Sequence, residues 1–132
     1  MYKYIMEKQL SQLEEFHRAF RSTWQDAPKR VDEKTKKMRI ALMREELDEV
    51  VEAMENEPLE NIAKELADLL YVVYGTIGAY GFHGIMEEIC DEVHRSNMSK
   101  LGENGELLLR EDGKVLKGPN YKPADIKKVF SK

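Results

Sequence analysis

The sequence predicts an all-α protein, with an antiparallel four-helix bundle, a short hairpin-like irregular tail and a possible final short helix. Apolar residues recur at helical spacing in four segments of the first 101 residues. These segments are long and their links are short, which favours antiparallel neighbours. A chain of 132 residues suits one domain, so we expect a bundle over about residues 4–101 and a tail over about 102–132.

The first two helices are expected from about Tyr4 to Trp24 and from about Glu33 to Glu55. The apolar positions of the first are Met6, Leu10, Leu13, Phe16 and Phe20. Pro28 separates the two helices, because proline interrupts a helix. The apolar stripe of the second comprises Met43, Leu47, Val50, Val51 and Met54.

The third and fourth helices complete the predicted bundle. Pro58 suits the first turn of the third helix, which we expect to run to about Tyr80. Gly81 can then serve as its C-terminal stop. The fourth helix is expected from about Ile85 to Leu101, with its inward positions at Ile85, Ile89 and Val93.

The tail has a different pattern. Residues 106–110 and 114–117 flank Asp112-Gly113, a dipeptide typical of hairpin turns. Pro119 and Pro123 follow, and residues 124–130 are compatible with a last short helix.

Composition excludes several classes of protein. The net charge of −4 argues against a nucleic-acid surface. A single cysteine, Cys90, excludes an intrachain disulfide framework and fits a reducing, cytoplasmic location. Residues 1–15 mix charged and apolar side chains and do not resemble a signal peptide. The apolar run 66–82 is short for a membrane span and contains Asp68, so we expect no membrane partner.

Paired carboxylates occupy helix faces that should be at least partly buried. At about 100° per residue, Glu65 and Asp68 share an arc with apolar residues, and residues 65–75 contain no Lys or Arg. Burying acids on such a face costs free energy unless a cation lies next to them, so we expect a bound divalent ion there. The second helix presents Glu45, Glu46 and Glu49 on one side. Two such helices packed antiparallel would offer the oxygen ligands that magnesium prefers.

Three alternatives remain open from these residues. Because the chain has 25 acidic residues, residues 45–57 could be a solvated charge run. Glu14 with His17, and Asp91 with His94, have the carboxylate-x-x-His spacing of di-iron bundles, although Asp91 projects away from the predicted core. An acidic-faced helical binding module without catalysis is the third. His17 itself fits either a satisfied interior histidine or a substrate contact.

Asn97 and Lys100 form a second candidate site on the fourth helix. An ammonium group three residues after an amide suits a bound phosphate, since it supplies charge and the amide supplies orientation. A lysine is also favoured at any helix C-terminus by the macrodipole, so both interpretations stand.

Several short motifs occur in a characteristic order. They are Phe16-His17-Arg18-Ala19, Glu46-x-x-Glu49, Glu65-Leu66-Ala67-Asp68-Leu69-Leu70-Tyr71, Glu92-Val93-His94-Arg95-x-Asn97-x-Ser99-Lys100, Asp112-Gly113-Lys114-x-Leu116-Lys117 and Tyr121-x-Pro123-Ala124-Asp125-Ile126. In this order the chain resembles the all-α nucleoside triphosphate pyrophosphohydrolases, which include MazG, the dimeric dUTPases and phosphoribosyl-ATP pyrophosphohydrolase. It is most similar to the small MazG-like branch with dUTPase-like activity. The resemblance runs from about Phe16 to Val129.

The resemblance implies an Mg²⁺-dependent enzyme, with Mn²⁺ able to substitute, that cleaves a nucleoside triphosphate into a nucleoside monophosphate and pyrophosphate. The substrate it implies is dUTP or a non-canonical nucleotide, and the assembly a homodimer or homotetramer. The implied metal ligands are Glu46, Glu49, Glu65 and Asp68, with Glu45 as an added ligand or sharing the role of catalytic base with Glu46. The implied substrate contacts are Asn97, Lys100, Lys114, Lys117 and Tyr121, to which His17 is added as a candidate.

Overall fold

The computed structural model describes residues 5–132 and confirms the all-α class. Four long helices are present, as the predicted four-helix bundle requires, and no strand occurs among the described residues. The helices are α1 (Ile5–Ala19), α2 (Glu33–Asn56), α3 (Leu59–Ala79) and α4 (Met86–Met98), and a short α5 (Ile126–Phe130) follows. The chain forms two compact units that divide between Gly84 and Ile85. The predicted start of the first helix, Tyr4, lies outside the described residues.

The first helix ends five residues earlier than the sequence predicts. Arg21 adopts a left-handed conformation (φ 56°), and the Ser22 amide donates to the His17 carbonyl over 2.8 Å. This is the capping arrangement that usually employs glycine. Because an arginine occupies the position, the sequence contains no stop signal there, and the apolar Phe20 extends the helical pattern past the true end.

Capping explains the bounds of α2 and α3. The Asp32 carboxylate accepts from the Thr35 amide over 2.7 Å and so starts α2. Pro58 stands immediately before α3, and Gly81 ends that helix with a φ of 71°, as predicted.

Helices α2 and α3 form an antiparallel hairpin joined by residues 57–58. Arg39, early in α2, donates to the Val72 carbonyl and the Thr76 hydroxyl, late in α3. Helix α1 also packs on α3, where the rings of Phe16 and Tyr71 meet edge to face. Helix α3 therefore lies against both other helices of the first unit.

Two glycines allow close packing on α3. A Cβ at Gly78 would overlap the Trp24 ring, and one at Gly75 would lie 2.7 Å from His17 Nε2 and from Arg39 Nη2. The predicted apolar stripe of α2 is only partly interior. Val50 is buried, whereas the exposed members of the stripe are Leu47, Val51 and Met54.

The second unit consists of α4, the tail and α5. Helix α4 ends at Met98, three residues before the predicted limit, and α5 packs on it with Val129 buried. The predicted hairpin is present as a single antiparallel bridge between Leu109 and Val115, with Gly113 at a φ of 87° in the turn. The final short helix is confirmed at Ile126–Phe130.

Candidate metal centre

Four carboxylates converge within the first unit. Helix α2 contributes Glu46 and Glu49, and α3 contributes Glu65 and Asp68. A separation of three residues places each pair on one face of its helix, and the antiparallel hairpin turns the two faces toward each other. One oxygen from each of the four residues lies within 4.8 Å of the others. This spacing allows a single divalent cation to be ligated by both helices.

Two of these carboxylates have oxygen atoms without partners. The Oε2 atoms of Glu46 and Glu65 are buried and accept no hydrogen bond from residues 5–132. Burial raises the pKa of the Glu65 carboxyl, and a hydrogen bond with the Glu49 carboxyl raises it further. Buried polar atoms are rarely left unsatisfied, and each unsatisfied atom calls for an explanation such as a bound ion. The donor set, all oxygen, fits a hard cation such as Mg²⁺.

Lys64 is a residue of this site that the sequence argument missed. Its ammonium group lies 2.6 Å from Asp68 Oδ2 and 3.5 Å from Glu65 Oε1. The prediction considered cations only within residues 65–75, and Lys64 stands one position before that stretch. Lys64 and Asp68 are four residues apart on a helix, and this spacing could have predicted their ion pair from the sequence. A cation therefore does meet these acids, although the Lys64 side chain is 65% exposed.

Glu45 lies on α2 with an exposed side chain, outside the group of four converging carboxylates. The structure thus brings together four of the five residues predicted as metal ligands. The role of Glu45 as an added ligand or base stays a prediction.

His17 is interior to the first unit. Its side chain is 2% exposed, and Nδ1 donates to the Thr23 carbonyl over 2.8 Å. Burial lowers the pKa of the imidazole, the Thr23 carbonyl opposes that shift, and the charge of Arg39 adds to it. This is the geometry of a satisfied interior histidine, and the substrate contact stays a prediction. The Glu14 carboxylate accepts from Arg18 over 2.9 Å, so nothing aligns Glu14 and His17 as a ligand pair.

Arg39 is a second residue that the sequence argument missed. The residue is 6% exposed. Its guanidinium donates to Thr76 Oγ1 over 3.0 Å and to the Val72 carbonyl over 2.8 Å, and burial lowers its pKa. It stands seven residues before Glu46 on α2, two helical turns away. Arg39 thereby joins the two helices that present the carboxylates.

The predicted phosphate contacts all lie in the second unit. Asn97 is exposed on α4, and Lys100 follows the end of that helix, half-buried. The Lys100 carbonyl accepts from the Gly118 amide over 2.8 Å. Because Gly118 directly follows Lys117, this bond brings the backbone of Lys117 close to that of Lys100. The Lys117 ammonium lies 4.9 Å from the centre of the Tyr121 ring, and Lys114 is exposed beside the turn.

Comparison with known proteins assigns the family. The family model described as phosphoribosyl-ATP pyrophosphohydrolase matches residues 13–97, well over half of the chain and all four converging carboxylates. None of the curated proteins compared with the chain matches it significantly. Within residues 5–132, every helix is too short or too polar to cross a membrane. The chain therefore belongs to the phosphoribosyl-ATP pyrophosphohydrolase family, one of the all-α nucleoside triphosphate pyrophosphohydrolases, whose members are metal-dependent hydrolases of nucleotides.

Proposed function

We propose that this protein is an Mg²⁺-dependent nucleoside triphosphate pyrophosphohydrolase that cleaves the α–β phosphoanhydride and releases a nucleoside monophosphate and pyrophosphate. The observation that carries the proposal is the group of four carboxylates, in which two buried oxygens have no partner. Family membership supports the same class of reaction, hydrolysis of a phosphoanhydride bond in a nucleotide.

In this proposal Glu46, Glu49, Glu65 and Asp68 hold Mg²⁺, and Mn²⁺ is able to replace it. When bound, the cation supplies positive charge for the phosphate oxygens and lowers the pKa of a water molecule. The four side chains fit this role because their oxygens are within 4.8 Å of one another and crowd negative charge that a cation would balance.

The proton of the attacking water needs an acceptor. We assign that role to Glu46 or Glu45, which are adjacent on α2. The Glu46 carboxylate has a buried oxygen with no hydrogen bond, and the Glu45 side chain is exposed and able to exchange protons with solvent. A carboxylate within hydrogen-bond reach of the water can serve as a general base.

The triphosphate is assigned to the second unit. Asn97 and Lys100 would bind phosphate oxygens, and the tail would add Lys114, Lys117 and Tyr121. Ammonium groups suit phosphate because the charge-assisted hydrogen bond is about twice as strong as a neutral one.

The active assembly is proposed to be a homodimer or homotetramer. The α2–α3 hairpin leaves large apolar side chains exposed, among them Met54 at 64% and Leu59 at 81%. A subunit interface would remove such side chains from water, which supports association. The reducing compartment suggested by the single Cys90 makes the cytoplasm the proposed location.

The substrate is proposed to be dUTP or a non-canonical nucleotide, with phosphoribosyl-ATP as the second candidate because the matching family is named for it. The test is a panel of dUTP, the common nucleotides, oxidised nucleotides and phosphoribosyl-ATP, assayed for pyrophosphate release with Mg²⁺, Mn²⁺ or EDTA. We expect metal-dependent release of pyrophosphate from at least one nucleotide. Stoichiometric bound iron with no release of pyrophosphate from any of them would favour a di-iron bundle and contradict the proposal. If the protein neither binds a metal ion nor hydrolyses any nucleotide, the result would favour an acidic binding module.

A further inference from the structure

Side chains on and just after α4 hydrogen-bond to backbone atoms of the tail and attach the tail to the helix. The attaching side chains are those of Glu92 and Arg95 on α4 and of Ser99, its C-cap residue, and the tail segment is residues 117–125. This segment has no helix or strand hydrogen bonds of its own. Bonds to α4 therefore supply much of what fixes its conformation, beside the turn between Gly118 and Tyr121 and the Asp125 cap of α5.

Arg95 and Glu92 form the first part of this attachment. The Arg95 guanidinium donates to both oxygens of Glu92, over 2.6 and 3.1 Å, and to the Pro123 carbonyl over 3.1 Å. Glu92 also accepts from the Asp125 amide over 2.8 Å. The guanidinium of Arg95 and the Asp125 amide lower the pKa of the Glu92 carboxyl to about 2, so this carboxylate stays charged.

Ser99 and Gly118 form the second part. The Ser99 hydroxyl donates to the Ser96 carbonyl over 2.6 Å and accepts from the Lys122 amide over 3.0 Å. The Gly118 amide donates to the Lys100 carbonyl over 2.8 Å. A Cβ at Gly118 would lie 2.6 Å from the Leu101 carbonyl oxygen, so the approach requires glycine.

The attached segment carries two candidate substrate contacts. Lys117 directly precedes Gly118, and the Tyr121 amide donates to the Gly118 carbonyl over 3.2 Å in a tight turn. The turn places the Tyr121 ring against the Lys117 ammonium, 4.9 Å from the ring centre. Lys100 is adjacent, because its carbonyl receives the Gly118 amide.

We propose that Glu92, Arg95 and Ser99 are positioning residues that hold the 117–125 segment on α4, so that Lys100, Lys117 and Tyr121 form one preassembled surface for a polyphosphate anion. The proposal rests on the proposed function for the identity of the anion. Long lysine side chains lose conformational freedom when they bind, and a segment ordered in advance removes the backbone part of that cost. The attachment should therefore govern substrate affinity more than the chemical step.

The chain offers a matched pair of arginines for the test. Arg95 and Arg110 are both about half-exposed, and both donate two hydrogen bonds to one carboxylate. Of these two arginines, Arg95 alone also donates to backbone carbonyls of the 117–125 segment. Arg95→Ala and Arg110→Ala each remove one positive charge from the second unit, so the two variants have the same net charge.

Two measurements decide the proposal. Amide hydrogen exchange at Lys122 and Asp125 reports the attachment directly and does not depend on any activity. Calorimetric titration with inorganic pyrophosphate reports the anion surface. In Arg95→Ala, we expect exchange at both amides to quicken and pyrophosphate affinity to fall about tenfold, the scale of losing one charged hydrogen bond. In Arg110→Ala, exchange should be unchanged and affinity should fall much less.

Equal losses of affinity in the two variants would overturn the proposal, because charge alone would then explain them. Unchanged exchange or unchanged affinity in Arg95→Ala would overturn it as well. Should Arg95→Ala fail to fold, Ser99→Ala removes the bonds of the Ser99 hydroxyl to Lys122 of the tail and to the Ser96 carbonyl, and it should shift both readouts in the same direction by less. If the exchange and pyrophosphate results hold while no nucleotide is hydrolysed, the proposed function fails and this inference stands.

Discussion

Two glutamates, one in each unit, illustrate how the same side chain can serve opposite purposes. Glu65 and Glu92 have nearly equal side-chain exposure, 14% and 16%. Glu92 accepts from Arg95 and from the Asp125 amide, and its pKa is lowered to about 2. Glu65 has a buried oxygen with no partner and a carboxyl neighbour in Glu49, and its pKa is raised.

The difference separates a structural carboxylate from one that is available for ligation. Glu92 has its charge balanced and its oxygens bonded, so it stabilises the second unit as it stands. Glu65 lies with three other acids, and Lys64 offsets part of their mutual repulsion. Exposure alone does not distinguish the two, whereas the partners of each oxygen do.

The largest expected effect comes from replacing the acids of the first unit. Glu49→Gln or Asp68→Asn keeps the shape and removes a ligand charge, so turnover should fall at least about a hundredfold, since even indirect support of a metal ligand is worth 10- to 100-fold. The melting temperature without metal should stay the same or rise, because repulsion is relieved. Glu55→Gln, an exposed glutamate on the same helix, is the control. Parent turnover in either ligand variant would refute the assignment.

Close packing on α3 should give the next largest effect. Gly78→Ala places a methyl group where the Trp24 ring lies, and overpacking of this kind typically costs about 1–3 kcal/mol. Gly84→Ala meets no atom within 4 Å and should change the free energy of unfolding little. Chemical denaturation of both variants makes the comparison. Equal stabilities would mean that Trp24 does not pack on Gly78.

The two units should also respond differently to acid. The pKa of His17 is lowered from 6.5, so the stability that neutral His17 gives the first unit should fall as pH drops below 6.5, whereas Glu65, whose pKa is raised from 4.5, acts in the opposite direction. The pKa of Glu92 is lowered from 4.5 to about 2, so its contribution should persist until pH falls below 4.5. Protection of amides from exchange, taken relative to the intrinsic exchange rate at each pH, should therefore fall first around His17 and later at Asp125. The reverse order would contradict these assignments.

Lys64 should give the smallest effect on stability. Its pairing with Asp68 is exposed, and such pairs contribute little. Lys64→Ala should lower the melting temperature slightly without metal and increase the rise that magnesium produces, because a competing cation is gone. Lys34→Ala removes an exposed lysine early in α2, far from Asp68 along the hairpin, and serves as the control. An unchanged response to magnesium in Lys64→Ala would show that the lysine does not compete.

The sequence was sufficient for the helices and the four converging acids because both depend on local spacing. Apolar residues at helical intervals predicted all four long helices, and acids three residues apart must share a face. The Gly81 stop and the hairpin turn at Gly113 followed from the conformational freedom of glycine.

The sequence was insufficient where a residue acts through tertiary contacts. Arg39 stands in a run rich in charged residues, and nothing in its spacing distinguishes a buried guanidinium from a solvated one. Arg21 ends α1 in a conformation that its residue type disfavours. Gly75 and Gly78 were visible as a pair three residues apart, but their partners come from α1, α2 and the loop before α2.

The central claim is that the four carboxylates bind a divalent cation. The most direct measurement is the melting temperature of the protein and of Glu49→Gln in EDTA, Mg²⁺ and Mn²⁺, with Glu55→Gln as the control. A cation at 100 times its dissociation constant adds about 2.7 kcal/mol to the free energy of unfolding. We predict a rise of several degrees in the parent and the control, and little or none in Glu49→Gln. A parent melting temperature that does not respond to either ion at millimolar concentration would contradict the metal centre.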